Sequence, residues 1–140
     1  METRPKRKDS FFGMHFDFHA GREQAGIGAQ LDEDTLEQLI SRVKPDYVQC
    51  DTKGHAGNSS YPTQVGYPAP DMQGDILRLW RRVTARHGVA LYAPHSGVWD
   101  NRALEHHPEW AAVNRDGVPD RQKTSVFGPY ARQLLVPQLK

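Results

Sequence analysis

The sequence predicts an α/β fold in which parallel β-strands alternate with helices. Hydrophobic residues recur with strand, helix, strand, helix and strand periodicity between positions 12 and 93. Polar side chains follow each predicted strand, whereas the connections from helix to strand are short and plain. Two consecutive β–α–β units favour right-handed crossovers and a parallel sheet. Ligands bind such sheets beyond the carboxyl ends of the strands, so the polar residues there are the candidates for a site.

The first predicted strand alternates with a period of two residues. Its apolar face contains Phe12, Met14, Phe16 and Phe18. Its other face contains His15, Asp17 and His19. Two histidines and a carboxylate on one strand face are an unusual combination, and this places the first candidate residues at the end of the strand.

The first helix and second strand are bounded by clear signals. Acidic residues 32–34 stand at the predicted helix start, where negative charge is favourable. Its apolar residues have i, i+3, i+4 and i+7 spacing, and Pro45 ends it. A short buried strand is predicted at 47–50, with Asp51 after it. Cys50 is predicted to be packed rather than reactive.

A loop of about twenty residues follows, and loops of that length are often functional. Asp71 is predicted to cap a second helix that ends at Gly88, a residue type suited to a left-handed stop. An uninterrupted apolar strand is predicted at 89–93, covered on both faces. A third helix is predicted to begin near Asn101, with Asp100 available as its cap.

Composition limits the function classes. The chain has 140 residues, 18 Lys and Arg against 17 Asp and Glu, and a net charge of +1. A chain with so little net charge has no overall electrostatic attraction for nucleic acid or an anionic membrane. A single cysteine excludes an intramolecular disulfide framework. Neither a signal peptide nor a membrane span is evident, so a cytoplasmic location is expected. Residues 1–10 are predicted to be a basic, disordered tail, and 11–140 a single domain.

Two chemistries could use the residues at the strand ends. The set His19, Lys53, His55, Trp99 and Asp100 suits a sugar, because polar groups bind hydroxyls and an indole covers the apolar face of a ring. Alternatively, His15, Asp17 and His19 could bind a metal ion in a hydrolase of the amidohydrolase type. A packed histidine with a satisfied hydrogen bond is the simpler interpretation of His15 alone. A non-catalytic carbohydrate-binding fragment is the third possibility.

Several segments resemble one family. Residues 16–21, 44–57 and 91–100 resemble the first three strand ends of α-L-fucosidase-type glycoside hydrolases. Residues 107–117 and 134–140, with Gly128-Pro-Tyr between them, are similar to a hypothetical glycosyl hydrolase family allied to those fucosidases. The family's Lys-His-His-Asp-Gly loop here becomes Lys53-Gly-His-Ala-Gly57, so one histidine and the aspartate are replaced.

The resemblance implies the first three strands of a (β/α)₈ barrel, with the start of a further helix in residues 130–140. It implies carbohydrate binding by His19, Lys53, His55, Trp99 and Asp100, and no cofactor is expected. The charge balance predicts no nucleic-acid partner and no membrane partner. The family's nucleophile and acid/base lie beyond the third strand, so no residue here takes a catalytic role. The chain alone is therefore expected to be an inactive part of a barrel, completed by a partner chain or a second copy.

Overall fold

A computed structural model describes residues 6–140, and Met1–Pro5, the first half of the predicted tail, lie outside the described residues. Its main sheet has three parallel strands in the order β1 (Gly13–Phe16), β2 (Tyr47–Cys50) and β5 (Ala90–Tyr92). Met14 pairs with Val48, and Val48 with Leu91. The predicted parallel sheet is therefore confirmed.

Two helices, α1 (Glu33–Val43) and α2 (Ile76–Arg86), cover one face of this sheet. The core between them contains Phe16, Leu36, Ile40, Val48, Cys50, Trp80 and Val83. Cys50 is packed there as predicted, and burial raises the pKa of its thiol to about 12. In the part of the chain that the structure describes, neither these helices nor any other is long and apolar enough to cross a bilayer.

The helix ends follow from capping chemistry, with one correction. The Asp32 carboxylate accepts a hydrogen bond from the Thr35 amide at 2.7 Å, as its position before the helix predicts. The prediction that Asp71 caps α2 is wrong. The cap is Asp75, whose carboxylate accepts from the Arg78 amide at 2.9 Å. Asp71 instead adopts a left-handed conformation with φ of 48° in the preceding turn.

The opposite face of the sheet carries Gly13, Tyr47 and Tyr92 and is only partly covered. The two tyrosine rings meet edge to face at 5.6 Å, and the guanidinium of Arg7 lies 5.0 Å from the Tyr47 ring centre. Arg7 belongs to a single 3₁₀ turn, Arg7–Asp9. Gly13 faces the Tyr47 ring so closely that a Cβ there would overlap it. The apolar strand predicted at 89–93 was expected to be covered on both faces. In the structure this strand is β5, and its residues are only half-buried.

The loops that follow β2 and β5 contain further short elements. The predicted long loop includes the parallel pair β3 (Asn58–Ser59) and β4 (Tyr67–Pro68). After β5 come α3 (Asn101–His106), a 3₁₀ turn at Pro108–Trp110 and an antiparallel hairpin, β6 (Ala111–Val113) with β7 (Pro119–Thr124).

A second hydrophobic cluster lies under these loops, away from the helix-covered sheet. Its buried members are Ala103, Leu104, Trp110, Tyr130 and Leu134. Tyr130 and Leu134 belong to the C-terminal helical segment, residues 130–138, which contains a π-helical turn, Ala131–Leu135, followed by α4 (Val136–Gln138). The predicted helix in residues 130–140 is thus present but irregular.

Candidate functional site

The loops after β2 and β5 meet at one edge of the sheet. The Thr52 amide donates to the Pro94 carbonyl at 2.9 Å, and the Ser96 amide donates to the Lys53 carbonyl at 2.9 Å. The Asn101 amide donates to the His55 carbonyl at 3.2 Å, which joins α3 to the same region. These backbone hydrogen bonds confirm that both loops lie at the carboxyl edge, as the parallel topology predicts.

Three of the predicted sugar-binding residues form a continuous surface, the aromatic platform: His19, His55 and Trp99. The His19 and His55 ring centres are 5.7 Å apart, and those of His55 and Trp99 are 4.5 Å apart. Trp99 is 37% exposed, although it is a large apolar residue. Exposed aromatic rings beside imidazole nitrogens offer both an apolar face and hydrogen-bonding groups. The platform can therefore bind a flat, partly polar ligand.

The other two predicted residues, Lys53 and Asp100, lie beneath the platform as a buried ion pair. The Lys53 ammonium is 2.9 Å from Asp100 Oδ2, and the exposed fractions of the two side chains are 0% and 1%. Burial lowers the pKa of Lys53, an effect that the charge of Asp100 opposes. Neither side chain has surface with which to contact a solute in this structure, so both act on the site through their neighbours.

This pair fixes the loop that carries Trp99. Asp100 Oδ1 accepts from the Ala103 amide at 2.9 Å and so caps α3, while Oδ2 accepts from Lys53. The Tyr130 hydroxyl lies 2.7 Å from the Gly97 carbonyl oxygen and 2.9 Å from Asp100 Oδ2. Burial raises the pKa of Tyr130, and the charge of Asp100 raises it further, so the phenol keeps its proton. The loop is therefore held from below by Asp100 and Tyr130.

Two members of this network were not among the predicted site residues. The Lys53 ammonium donates to the Tyr130 hydroxyl at 3.0 Å and to Gln138 Oε1 at 3.2 Å. Both partners are far along the chain, in the C-terminal helical segment. The sequence gives no local signal for these two contacts, because each partner lies more than seventy residues from Lys53.

A second group of side chains, the carboxylate–histidine group, lies beside the platform: Asp17, His19 and Asp51. One ligand atom of each lies within 4.8 Å of the other two. His15 Nε2 is 3.1 Å from Asp51 Oδ1. The predicted metal set was His15, Asp17 and His19. Asp51 takes the place of His15 in the group that the structure brings together, and His15 contacts that carboxylate instead.

Substitution of Gly54 by alanine is expected to displace His19 from the platform. A Cβ at position 54 would lie 2.9 Å from His19 Cγ and 3.0 Å from its Cα. Because the backbone of His19 would also have to move, we expect a loss of about 1–3 kcal/mol in unfolding free energy and a shifted His19 imidazole resonance. Urea unfolding and histidine-selective NMR measure the two effects.

Gly97→Ala is the matched control, because no atom beyond its two chain neighbours lies within 4 Å of a Cβ at that position. It should leave both the stability and the His19 resonance nearly unchanged. Equal effects of the two substitutions would show that Gly54 is not required for the close approach of His19.

Comparison with solved structures identifies the fold. Part of alpha-L-fucosidase isoenzyme 2 from Paenibacillus thiaminolyticus is similar, with a TM-score of 0.81 and 16% sequence identity over 93% of this chain. The chain spans 21% of the length of that protein. No protein-family model matches the sequence, and no curated protein matches it. The structure therefore has an α-L-fucosidase-like fold, in a mixed α/β domain with parallel strands.

Proposed function

We propose that this chain is the sugar-binding N-terminal module of an α-L-fucosidase-like glycoside hydrolase. In this proposal β1, β2 and β5 are the first three strands of a (β/α)₈ barrel, with α1 and α2 as its outer helices. The observation that carries the proposal is the aromatic platform at the carboxyl edge of the sheet. Barrel enzymes bind their substrates at this edge. The fold similarity to part of a fucosidase supports the same assignment.

Each platform residue has a role that its chemistry allows. Trp99 stacks on the apolar face of the sugar ring, and His19 and His55 hydrogen-bond to hydroxyl groups. Lys53 and Asp100 were predicted to contact the sugar as well. Because both are buried, the proposal makes them positioning residues that hold the Trp99 loop.

Hydrolysis is proposed to need residues from outside this chain. Glycosidases use two carboxyl groups, about 5–5.5 Å apart for retention and about 6.5–9.5 Å apart for inversion. Asp100 is paired with Lys53, and Asp17 and Asp51 both face His19. None of the three is assigned a catalytic role by the family resemblance. A partner chain of different sequence would supply the remaining strands and the catalytic pair.

The test is a ligand-observed NMR titration of the 140-residue chain with 4-nitrophenyl α-L-fucoside. We expect saturable binding without release of nitrophenol. Trp99→Ala should weaken binding about tenfold, since stacking on one ring contributes about 1.5 kcal/mol. Phe127→Ala is the control, because Phe127 is 97% exposed and outside the platform. The corresponding β-galactoside tests whether binding depends on the sugar.

Three results would contradict the proposal. Absence of saturable binding to either glycoside would remove the sugar-binding role. Equal effects of Trp99→Ala and Phe127→Ala would remove the platform from it. Turnover that is lost in Asp17→Asn or Asp51→Asn would show that the catalytic site is complete in this chain.

A further inference from the structure

The buried carboxylate of Asp51 faces two imidazole rings. Its main chain is fixed on both sides, because the Asp51 amide donates to the Phe16 carbonyl at 3.2 Å and the Ser60 hydroxyl donates to the Asp51 carbonyl at 2.6 Å. His15 Nε2 lies 3.1 Å from Oδ1, and His19 Nε2 lies 3.7 Å from Oδ2. With a side chain only 6% exposed, Asp51 is a rigid anion that calls for a positive partner.

Asp17 brings a second carboxylate to the same point. Its Oδ1 contacts His19 Nδ1, and its backbone position is tied to His19 because the His19 amide donates to Asp17 Oδ1 at 3.0 Å. Asp17, His19 and Asp51 thus offer two oxygens and a nitrogen within 4.8 Å of one another.

This spacing is close to that of a coordinated ion. Two atoms bound to one tetrahedral Zn²⁺ at about 2.0–2.2 Å are about 3.3–3.6 Å apart. Asp17 and His19 have side chains that are 58% and 48% exposed, so both are free to move by the roughly 1 Å required. Asp51, which is buried, would stay in place.

We propose that Asp17, His19 and Asp51 bind one divalent transition-metal ion, Zn²⁺ or Mn²⁺. Imidazole suits Zn²⁺ and carboxylates suit Mn²⁺, and the mixed set accommodates either. His15 is the residue that orients Asp51, since carboxylate ligands commonly receive a hydrogen bond on the oxygen facing away from the metal. Positions on the exposed side of the ion remain open to water or a hydroxyl. The family resemblance implies no cofactor, so this metal site is a departure from it.

The metal site does not rest on the proposed sugar function. The metal site and the aromatic platform share His19. An ion bound there would contact a ligand hydroxyl that His19 would otherwise contact directly. The metal titrations below use no sugar. Their failure would leave the aromatic platform intact, and failure of the glycoside titration would leave the metal site intact.

The experiment is titration of the full 140-residue chain, stripped with chelator and free of any histidine tag, with Zn²⁺ by calorimetry and Mn²⁺ by loss of the free-ion EPR signal. The expected result is one ion per chain and a raised Tm. His19→Gln and Asp17→Asn should each weaken binding at least tenfold. His15→Gln should weaken it about 10–100-fold, the range seen when a residue that orients a ligand is removed.

His107→Gln is the matched control. His107 Nδ1 lies 3.1 Å from Glu109 Oε1, so it is also a histidine paired with a carboxylate, but it lies away from the group. It should leave binding unchanged. Asp17→Asn is the decisive variant, because the Asp17 side chain is exposed and its substitution is expected to leave the fold intact. Absence of stoichiometric binding, or an equal loss in His107→Gln and Asp17→Asn, would overturn the proposal.

Discussion

Substitution of Lys53 by methionine is expected to lower the free energy of unfolding by about 3–5 kcal/mol, because it leaves Asp100 as an uncompensated buried charge. Methionine fills much of the same volume, so the loss reports the charge rather than a cavity. Asp100 keeps its hydrogen bonds from Tyr130 and Ala103, which limits the effect to that of the missing ammonium. Chemical denaturation followed by far-ultraviolet circular dichroism measures the change.

Two comparisons isolate the ion pair. Lys8→Met removes an exposed lysine whose neighbour Asp9 is 4.0 Å away, and it should change stability by less than about 0.5 kcal/mol. Asp100→Asn in the Lys53→Met background should recover part of the loss, because an asparagine can still accept from Ala103 and carries no charge. A cost below about 1 kcal/mol for Lys53→Met would show that the pair is solvated.

Alanine at Gly57 is expected to cost about 3 kcal/mol or more in unfolding free energy. Gly57 has φ of +90°, a conformation that costs L-residues about 1–2 kcal/mol. A Cβ there would also overlap Asp100 Oδ1 and lie 2.9 Å from the Arg102 amide nitrogen. Since Asp100 is held by Lys53 and Tyr130, it cannot move aside cheaply, and overpacking adds about 1–3 kcal/mol.

Gly117→Ala separates the two contributions in the same denaturation assay. Gly117 has φ of +80°, and no atom beyond its two chain neighbours lies within 4 Å of a Cβ there. It should therefore show the backbone cost alone, about 1–2 kcal/mol. If Gly57→Ala costs no more than Gly117→Ala, a Cβ at position 57 is not tightly packed against Asp100. The loop would then be able to relax around it.

Local patterns predicted the sheet and its two covering helices. The alternation in residues 12–18 placed β1, and the apolar stripe before Pro45 placed α1. Parallel pairing then brought Lys53 and His95 to one edge of the sheet, where their backbones form an isolated parallel β-bridge. Asp100 was a candidate both as a helix cap and as a site residue, and one carboxylate oxygen serves the cap while the other binds Lys53.

The features that sequence analysis missed depend on contacts between distant segments. The β6–β7 hairpin contains charged residues in much of its second strand, so it has no clear apolar alternation. Tyr130 and Gln138 reach Lys53 across more than seventy residues, and no local pattern encodes such a contact. The choice of Asp75 over Asp71 depends on where the preceding turn ends, which two nearby aspartates leave ambiguous.

The buried pair also sets which parts of this molecule can diverge. Under the proposed function, ligand preference would depend on His55 and Trp99, whose side chains lie at the surface. Lys53 and Asp100 serve the helix cap, the loop and the second hydrophobic cluster together, so changes there are opposed by loss of the folded state. We therefore expect related sequences to vary at His55 and Trp99 more readily than at the buried pair beneath them.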